Sequence, residues 1–578
     1  MNIRTLTFLI SGVLLTACQP LQTERPEFVS PPLATQPAEL ERGLVSAADP
    51  RAADAGARML RMGGSATDAA IATMLALTVV EPQSSGIGGG GFFVHAAPDG
   101  TVTTIDGRET APSAAAPDWF LDEDGKPLGY REAVLSGLSV GVPGNLRLAG
   151  MAHRQYGRLP WETLVGPALE LARDGFAISP RFHEFLARSA DRAAIDPYGK
   201  ELFYDAAGKP QPAGALIRNP RLATVFLKLS AEGPDSFYQG SFAADLAAHV
   251  AAATPRPAGM SAADVTSYAA KPREPVCGKY RIYRICGMGP PSSGATTVYA
   301  ILKQLEPFDL AATGPGSPTS WHLFAESQRL AYADRERYLA DPDFVPVPVG
   351  WLTDADYLTA RAALISATST MAAAQPGIAP QTALAPPDGT EPPESGTSHF
   401  VAIDSAGNAV SYTSTIEGSF GSGLMFGGFY LNNELTDFSF TPLEDGRTVA
   451  NRVEGSKRPR SSMAPTVVYG PDGKLMYAVG AAGGGTIPVQ VAKTLMGLID
   501  FGLSLDEALA LPQLYSPGDV VVIEQGSALE AMVDDLKALG HAQITARPLP
   551  LKTNAAQWTP EGWIGAADPR SEGASVRQ

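Results

Sequence analysis

Cysteine, histidine and positive charge are all scarce in this chain of 578 residues. Three cysteines are too few for a disulfide-rich scaffold or for a site of several thiolates, and seven scattered histidines imply no metal site. Lysine and arginine number 44 against 60 aspartates and glutamates, and the net charge of −16 argues against a nucleic-acid partner, which needs clustered basic side chains. The composition, 44% apolar and 18% charged, is typical of a folded protein with a large core.

The N-terminal apolar run is too short to cross a membrane. Residues 1–17 hold the cation Arg4 and an apolar stretch of about ten residues, against the roughly 20 that a spanning helix needs, and this pattern predicts a signal peptide. The segment ends Leu-Thr-Ala before Cys18, which resembles the lipobox of bacterial lipoproteins, where the cysteine becomes the acylated first residue. The alternative is a plain secretory signal followed by an incidental cysteine.

Lipidation at Cys18 would tether the mature protein to a membrane without spanning it. Residues 18–40 then form a spacer, because the segment 19–38 contains five prolines and no apolar periodicity. We expect the protein to lie in the bacterial cell envelope, facing either the periplasm or the cell surface, with the periplasm favoured. Gln19 is not the aspartate that signals retention at the inner membrane, so the outer membrane is favoured.

The other two cysteines are close together in the sequence. The alternating run 280–285 lies between Cys277 and Cys286 and is typical of a strand, which would hold the cysteines roughly 30 Å apart at about 3.3 Å per residue. We therefore expect two free, buried thiols.

The chain changes character at about residue 397. Apolar periodicity predicts mainly helices before this point and mainly strands after it, with helices returning further on. Residues 366–396, rich in Ala, Pro, Ser, Thr and Gly, form a low-complexity stretch that predicts an exposed connection. The predicted helices are 51–62, 67–80, several within 144–252, 319–340, 486–501 and 505–511, and the predicted strands are 92–96, 280–286, 400–403, 409–416 and 466–469.

Three motifs of known chemistry occur in the wrong context. Residues 137–141 match a hydrolase nucleophile elbow around Ser139, but no convincing strand leads into them. Residues 86–91 match GxGxxG, but a helix precedes them and a strand follows, the reverse of the order in a dinucleotide site. An HExxH pattern begins at His183 but has Ala187 in place of its second histidine. None of the three supports a function.

A pair of threonines stands where two predicted strands meet. Residues 404–408, Asp-Ser-Ala-Gly-Asn, are a turn signal between two alternating runs and predict a hairpin. With a register symmetrical about this turn, Thr397 lies opposite Thr415, with Cβ atoms about 5 Å apart. Cleavage of the Gly396–Thr397 bond would free the amino group of Thr397 to act as base for its own hydroxyl. The alternative is a cross-strand threonine pair with a purely structural role.

Short stretches of distinctive sequence occur along most of the chain. They are 63–70 (GGSATDAA), 81–91 (EPQSSGIGGGG), 108–112 (RETAP), 290–294 (PPSSG), 334–335 (DR), 407–411 (GNAVS), 431–434 (LNNE), 437–438 (DF), 457–463 (KRPRSSM), 483–484 (GG) and 565–570 (GAADPR). Together they resemble the gamma-glutamyltransferase family of N-terminal-nucleophile hydrolases, over nearly all of residues 42–575. The resemblance implies an α/β fold of the α+β kind, a four-layer αββα sandwich that large and small chains form jointly after self-cleavage.

The resemblance also implies a self-processing enzyme. Thr397 would attack the carbonyl of Gly396 and divide the precursor into a large chain, whose globular part is residues 41–396, and a small chain, residues 397–578. The same hydroxyl would then attack the side-chain amide of a γ-glutamyl compound such as glutathione, and water, an amino acid or a peptide would take the acyl group. No cofactor is expected. The expected partners are the small-molecule substrate, the two chains of one precursor and, through the lipid on Cys18, a membrane.

The family resemblance assigns roles to individual residues. It implies that Thr415 hydrogen-bonds the nucleophile, in agreement with the hairpin register, and that Gly483 and Gly484 form the oxyanion hole with backbone N–H groups. The glutamyl headgroup needs a cation for its α-carboxylate and anions for its α-ammonium. The residues implied for the headgroup are Arg108, Ser461 and Ser462 on one side and Glu434 and Asp437 on the other.

Structural explanations remain open for several of these residues. Arg108 could form a salt bridge to Glu109 or Asp106, and a plain tight turn would explain the two glycines. Turn chemistry would explain the two serines, 461 and 462.

The chain departs from the family pattern in four places. Glu417 replaces an asparagine that holds the headgroup, and we count it among the substrate-binding residues because this anion could grip the ammonium or repel the carboxylate. Ala295 replaces the second glycine of PPSSGG, which is tolerated if its φ is negative. Residues 439–456, where other members carry a lid, look shorter, which would open the pocket and favour hydrolysis over transfer. Residues 512–515, Pro-Gln-Leu-Tyr, also differ, and we have no functional account of this change.

Two other functions fit parts of the sequence. An acylase of the same fold would act on glutaryl amides, as in cephalosporin side chains, or on poly-γ-glutamyl amides. Glu434 and Asp437 argue against a donor that lacks an α-amino group. A surface binding protein that does not cleave itself is disfavoured, because Thr397, Thr415 and both candidate oxyanion glycines are present.

Overall fold

The structure is a computed structural model that describes residues 43–380 and 396–578. The predicted signal peptide, Cys18, the spacer and residues 381–395 of the predicted connection lie outside the described residues. The strands, numbered along the chain, are β1 (Leu44–Ala47), β2 (Gly90–Ala96), β3 (Val102–Gly107), β4 (Phe176–Ala177), β5 (Leu216–Ile217), β6 (Lys271–Arg273), β7 (Val276–Tyr280), β8 (Tyr283–Gly287), β9 (Ser398–Ile403), β10 (Ala409–Thr415), β11 (Met425–Phe426), β12 (Phe429–Tyr430), β13 (Leu443–Glu444), β14 (Arg447–Thr448), β15 (Thr466–Tyr469), β16 (Leu475–Ala482), β17 (Leu514–Tyr515), β18 (Val520–Glu524), β19 (Gln543–Arg547), β20 (Lys552–Thr559), β21 (Gly562–Ala567) and β22 (Ala574–Arg577).

Helices fill most of the chain before β9, as the periodicity predicted. The long helix α14 covers the region expected at 319–340. The helices are α1 (Pro50–Arg61), α2 (Ala66–Val80), α3 (Tyr130–Val134), α4 (Asn145–Tyr156), α5 (Trp161–Asp174), α6 (Pro180–Arg188), α7 (Ala190–Ala193), α8 (Pro197–Phe203), α9 (Pro220–Glu232), α10 (Gly240–Ala252), α11 (Ala262–Ser267), α12 (Gly294–Leu305), α13 (Leu310–Thr313), α14 (Pro318–Tyr338), α15 (Val349–Leu352), α16 (Ala355–Ala362), α17 (Ile487–Ile499), α18 (Leu505–Ala510) and α19 (Val533–Ala538).

Local sequence explains why the central elements form where they do. Ser65 caps α2, because its hydroxyl accepts the N–H of Asp68 and the Asp68 carboxylate accepts the N–H of Ser65. All residues of this apolar helix are buried. The β9–β10 hairpin turns at Asp404, whose side chain accepts the N–H groups of Ala406 and Asn408.

Two antiparallel sheets lie face to face with helices on their outer faces. The first sheet has the strand order β22-β1-β9-β10-β2-β3-β6, and the second has the order β21-β20-β16-β15-β8-β7. Strands β9 and β10 pack on β16, while α1, α2 and α4 cover the first sheet and α12 and α17 cover the second. This is the four-layer αββα sandwich that the family resemblance implied.

The apolar core follows the alternation of side chains along the strands. On β2, Phe93 faces the cluster under α2, whereas Phe92 and Val94 face the cluster between the sheets. Both faces of the first sheet are therefore buried. Within residues 43–380 and 396–578, no helix combines the length and apolarity needed to cross a bilayer.

The prediction of two free thiols is wrong. The run 280–285 is not one strand, because the chain reverses at Arg281 and Ile282 between β7 and β8. In the resulting hairpin Cys277 pairs directly with Cys286, their Cα atoms are 4.1 Å apart, and the two form a disulfide. Alternation alone could not reveal a two-residue turn inside an alternating segment.

Candidate active site

Thr397 and Thr415 meet at one end of the β9–β10 hairpin. The register pairs Ala409 with Ile403 and Ser414 with Ser398, which confirms the predicted alignment. The Thr397 Oγ1 hydroxyl donates a hydrogen bond of 3.1 Å to Thr415 Oγ1. Both side chains are buried, and Thr397 is 5% exposed.

The backbone on each side of Thr397 is tightly held. Its N–H donates to the Ser84 carbonyl over 3.0 Å, and its φ is 103°, a strained value for a β-branched residue. A Cβ on Gly396 would lie 1.8 Å from the Glu417 carbonyl oxygen, so the residue before Thr397 must be glycine. The predicted cleavage bond therefore lies at a crowded and strained point of the chain.

The loop 81–91 wraps around this pair of threonines. The Ser84 carbonyl also accepts the N–H of Ile416 over 3.3 Å. A Cβ on Gly89 would lie 2.0 Å from the Thr415 carbonyl oxygen, so the glycines permit a close approach of two backbones. This contact explains why position 89, in the run that failed as a dinucleotide motif, is glycine.

Thr415 is a hydrogen-bond acceptor for two groups. Besides the Thr397 hydroxyl, its Oγ1 accepts the Glu417 N–H over 2.8 Å. The geometry fits the predicted role of Thr415 as a partner that orients the Thr397 hydroxyl.

Gly483 and Gly484 lie between the end of β16 and the start of α17. Their φ values are 129° and 61°, and a Cβ on Gly483 would lie 2.3 Å from the Pro550 carbonyl oxygen. A short 3₁₀ turn, Gly484–Thr486, follows and leads into the helix. Position 483 therefore requires glycine, both because its φ is positive and because a side chain would collide with the backbone of Pro550.

Arg108 is buried between the two acidic residues predicted to bind the headgroup. Its guanidinium donates to the carboxylates of Glu434 and Asp437. The same group donates to the carbonyl oxygens of Pro459 (3.2 Å) and Arg460 (2.9 Å). The structure thus joins the predicted cation and anions in one cluster, in which they pair with each other.

Ser461 and Ser462 adjoin this cluster through Arg460. The Ser462 hydroxyl accepts a hydrogen bond of 2.7 Å from Arg335, and the Ser461 hydroxyl accepts the Met463 N–H over 3.2 Å. The second contact is the local turn interaction that the structural alternative predicted. The Ser461 carbonyl accepts both the N–H and the hydroxyl of Ser293, so this segment is fixed against the 290–294 loop.

Glu417 lies next to the segment that carries Glu434. Its carboxylate accepts a hydrogen bond from Asn433, the residue before Glu434, and the Tyr130 hydroxyl lies 3.5 Å from it. Glu417 has a φ of 70° and is buried. Burial raises the pKa of Tyr130 well above its usual range, and the negative charge of Glu417 is the second-largest cause of this shift.

The structure also shows where two other departures from the family pattern lie. Ala295 lies in the first turn of α12 with a negative φ, as its tolerance requires. Residues 443–448 form a small exposed hairpin from β13 and β14, within the segment where relatives were expected to carry a lid.

Ser139 is buried in the short 3₁₀ turn Gly137–Ser139, and its hydroxyl donates to the Val134 carbonyl over 2.8 Å.

Glu109 was not predicted as a site residue. Its buried carboxyl lies beside Glu434 and against Gly90, where a Cβ would be 2.4 Å from the carboxylate oxygen. Burial raises the pKa of Glu109 to about 7, although the neighbouring Arg108 guanidinium opposes this shift. Its place in the stretch 108–112 was the signal that could have identified it.

Glu81 and Lys552 were also missed. The Lys552 ammonium donates to both carboxylate oxygens of Glu81, at 2.8 and 2.6 Å, and reaches the Thr397 carbonyl oxygen at 3.3 Å. These two side chains are 471 positions apart in the sequence, so no spacing could have paired them. Among the residues that the structure describes, no group of three or more His, Cys, Asp and Glu side chains could hold a metal ion.

Two facing sheets covered by helices, with a buried threonine at the start of a central strand, define the class of N-terminal-nucleophile hydrolases. Within this class the chain belongs to the gamma-glutamyltranspeptidase family, whose sequence profile matches residues 52–577. The enzyme class and the family predicted from the sequence are thereby confirmed.

Curated relatives carry two kinds of name. The chain is 36% identical over 515 residues to the glutathione hydrolase proenzyme of Bacillus subtilis strain 168, covering 86% of this chain and 85% of that protein. It is 35% identical over 553 residues to the acylase ACY 1 proenzyme of Pseudomonas sp. strain SE83, covering 94% of each.

A solved structure shares the whole fold. Cephalosporin acylase from Bacillus halodurans aligns with a TM-score of 0.78 over 96% of this chain and 99% of that chain, at 24% sequence identity. At this identity the likeness concerns the fold alone.

Proposed function

We propose that this chain is a self-processing γ-glutamyl hydrolase or transferase, which cleaves the γ-glutamyl amide of glutathione or a related compound through a threonyl acyl-enzyme. The observation that carries the proposal is the hydrogen-bonded pair of Thr397 and Thr415, directly after Gly396. The family assignment and the glutathione hydrolase relatives support it.

Processing is the first step of the proposed mechanism. The Thr397 hydroxyl attacks the Gly396 carbonyl, the amide bond breaks, and water hydrolyses the resulting ester. The products are a large chain that ends at Gly396 and a small chain, residues 397–578. The strained φ of Thr397 supports cleavage at this bond, because the φ constraint at Thr397 disappears with the bond.

Acyl transfer is the second step. The freed amino group of Thr397 takes the proton of its own hydroxyl, and the oxygen attacks the γ-carbonyl of the donor. The N–H groups of Gly483 and Gly484 stabilise the oxyanion, and the departing amine takes the proton. Water or an amino acid then accepts the γ-glutamyl group. Thr415 keeps the hydroxyl oriented through its 3.1 Å hydrogen bond.

The charged cluster selects the headgroup. Arg108, with the serines 461 and 462, binds the α-carboxylate, and Glu434, Asp437 and Glu417 bind the α-ammonium. The position of Glu417 beside Asn433 and Tyr130 supports its place on the ammonium side. In this arrangement Glu417 strengthens the preference for a donor that carries an α-amino group.

A glutaryl amide acylase is the second candidate, favoured by the 35% identity to an acylase proenzyme over 94% of the chain. A glutaryl donor lacks the α-ammonium, so the buried carboxylates of Glu434 and Asp437 would have no cationic partner on the ligand. Matched γ-glutamyl and glutaryl p-nitroanilides separate the two candidates. We expect a higher kcat/KM for the γ-glutamyl compound, and a preference for the glutaryl compound would make the chain an acylase.

The cell envelope is the proposed location, with lipid on Cys18 after removal of residues 1–17. The Cys277–Cys286 disulfide supports an oxidising compartment such as the periplasm. Labelling with a radioactive fatty acid tests the anchor: wild type is expected to carry label and Cys18→Ser is not. Export without label would favour the plain secretory signal.

A further inference from the structure

A buried ion pair connects the two segments that processing would separate. Glu81 caps the C-terminal end of α2, before the predicted cleavage bond, and Lys552 begins β20, after it. Both side chains are buried. Desolvating two charges offsets most of the attraction between them, so a pair of this kind is weak evidence for a role in stability.

One hydrogen bond of Lys552 reaches Thr397, the residue proposed as nucleophile. An ammonium has three hydrogens, and the acceptors around this one are the Glu81 carboxylate, the Thr397 carbonyl oxygen at 3.3 Å and the Ser398 Oγ at 3.2 Å. The Ser398 hydroxyl donates in turn to Glu81 over 2.7 Å. Lys552, Glu81 and Ser398 thus form a closed network around the first peptide unit of β9.

This network contacts the backbone of Thr397, which lies just before the first residue of β9. The Ser84 carbonyl holds the N–H side of the residue, and Lys552 holds its carbonyl side. After cleavage Thr397 would be a chain terminus, and chain termini are poorly ordered unless they are tied down. A displacement of about 1 Å in a reacting group can lower a rate on the order of a hundredfold.

We propose that Lys552 and Glu81 are positioning residues, which fix the Thr397 carbonyl and thereby aim its amino group and hydroxyl at the substrate. The inference rests on the proposed role of Thr397 as nucleophile. Neither side chain touches the substrate in this account. Their loss should lower kcat and slow self-cleavage, while the KM for the donor changes little because the headgroup residues stay in place.

Four variants of the full chain separate positioning from stability. Lys552→Met and Glu81→Gln each remove one charge and leave its partner buried and unpaired, which should lower both Tm and kcat. The double variant Lys552→Met/Glu81→Met removes both charges. Lys493→Met is the matched control, because Lys493 is another buried lysine but donates to the carbonyl oxygens of Leu509 and Leu511.

The readouts are the rate of chain cleavage, Tm, and kcat and KM for γ-glutamyl-p-nitroanilide. We expect the double variant to regain most of the Tm of wild type but to keep a kcat about tenfold or more below it, with KM within about twofold. A kcat that recovers together with Tm, or single variants with wild-type kcat, would overturn the inference. If wild type itself neither cleaves nor turns over the anilide, the proposed function fails and the inference fails with it.

Discussion

Thr397 Oγ1 and Thr415 Oγ1 lie 3.1 Å apart although 18 positions separate the two residues in the chain. The distance follows from a hairpin whose register is symmetrical about the turn 404–408. A shift of the strand pairing by one residue would turn one of the two threonines to the opposite face of the sheet. The contact between the threonines therefore depends on the register that the turn sets.

Removal of the Thr415 hydroxyl should slow both processing and turnover. In Thr415→Val the Thr397 hydroxyl loses its acceptor at nearly constant side-chain volume, and a hydrogen bond of this kind contributes about 1–1.5 kcal/mol. We expect kcat to fall about tenfold. Thr415→Ser keeps the hydroxyl and should retain most activity. Equal rates in the valine and serine variants would contradict the proposed role.

Glu417→Gln should weaken selection for an α-amino group. Glutamine keeps the shape of the side chain but removes the negative charge that lies beside Asn433 and Tyr130. We expect the ratio of kcat/KM values for γ-glutamyl and glutaryl anilides to fall about tenfold. Glu170→Gln, which removes an exposed carboxylate on α5, is the control for net charge. An unchanged ratio would contradict the place of Glu417 beside the ammonium. An equal rise of kcat/KM for both anilides would show instead that Glu417 repels the carboxylate that the two donors share.

Glu109 should make the stability of the protein depend on pH. Because burial raises its pKa to about 7, the folded chain keeps this proton where the unfolded chain has lost it. The stability contributed by Glu109 is thus fully present below the usual pKa near 4.5 and is lost as pH rises through about 7. Thermal unfolding should be followed from pH 4 to pH 8. We expect the Tm of wild type to fall further than the Tm of Glu109→Gln as the pH rises. Parallel curves would contradict this.

The disulfide should survive purification and stabilise the β7–β8 hairpin. Peptide mapping without reduction should recover a linked pair of peptides that contain Cys277 and Cys286. The double variant Cys277→Ser/Cys286→Ser should lose roughly 2–3 kcal/mol in urea unfolding, the loop-entropy value for a link of this length. Recovery of both peptides as free thiols would restore the original sequence prediction.

Sequence signals that act over short distances predicted much of the fold. The turn at Asp404, the apolar α2 and the alternating strands of the second half of the chain all formed as expected, because each depends on neighbouring residues. The cysteine prediction failed for a related reason, since a tight turn at Arg281 leaves the alternation of the segment unchanged.

The parts of the candidate site that depend on distant contacts were not predictable from spacing. In the sequence Lys552 is an isolated charge at the start of β20, and its partner Glu81 is 471 positions away. The headgroup cluster of Arg108 and Glu434 was placed only through the family resemblance. The raised pKa of Glu109 depends on burial, which a sequence does not give.

The proposed enzyme depends on self-cleavage at the Gly396–Thr397 bond, which intact mass measurement detects directly. Purified wild type and the Thr397→Ala variant should be incubated side by side and their masses compared. We expect two chains in wild type, one of which begins at Thr397, and a single uncut chain in the variant. A wild-type chain that stays uncut after prolonged incubation would leave the amino group of Thr397 in a peptide bond, and Thr397 could then not act as an N-terminal nucleophile.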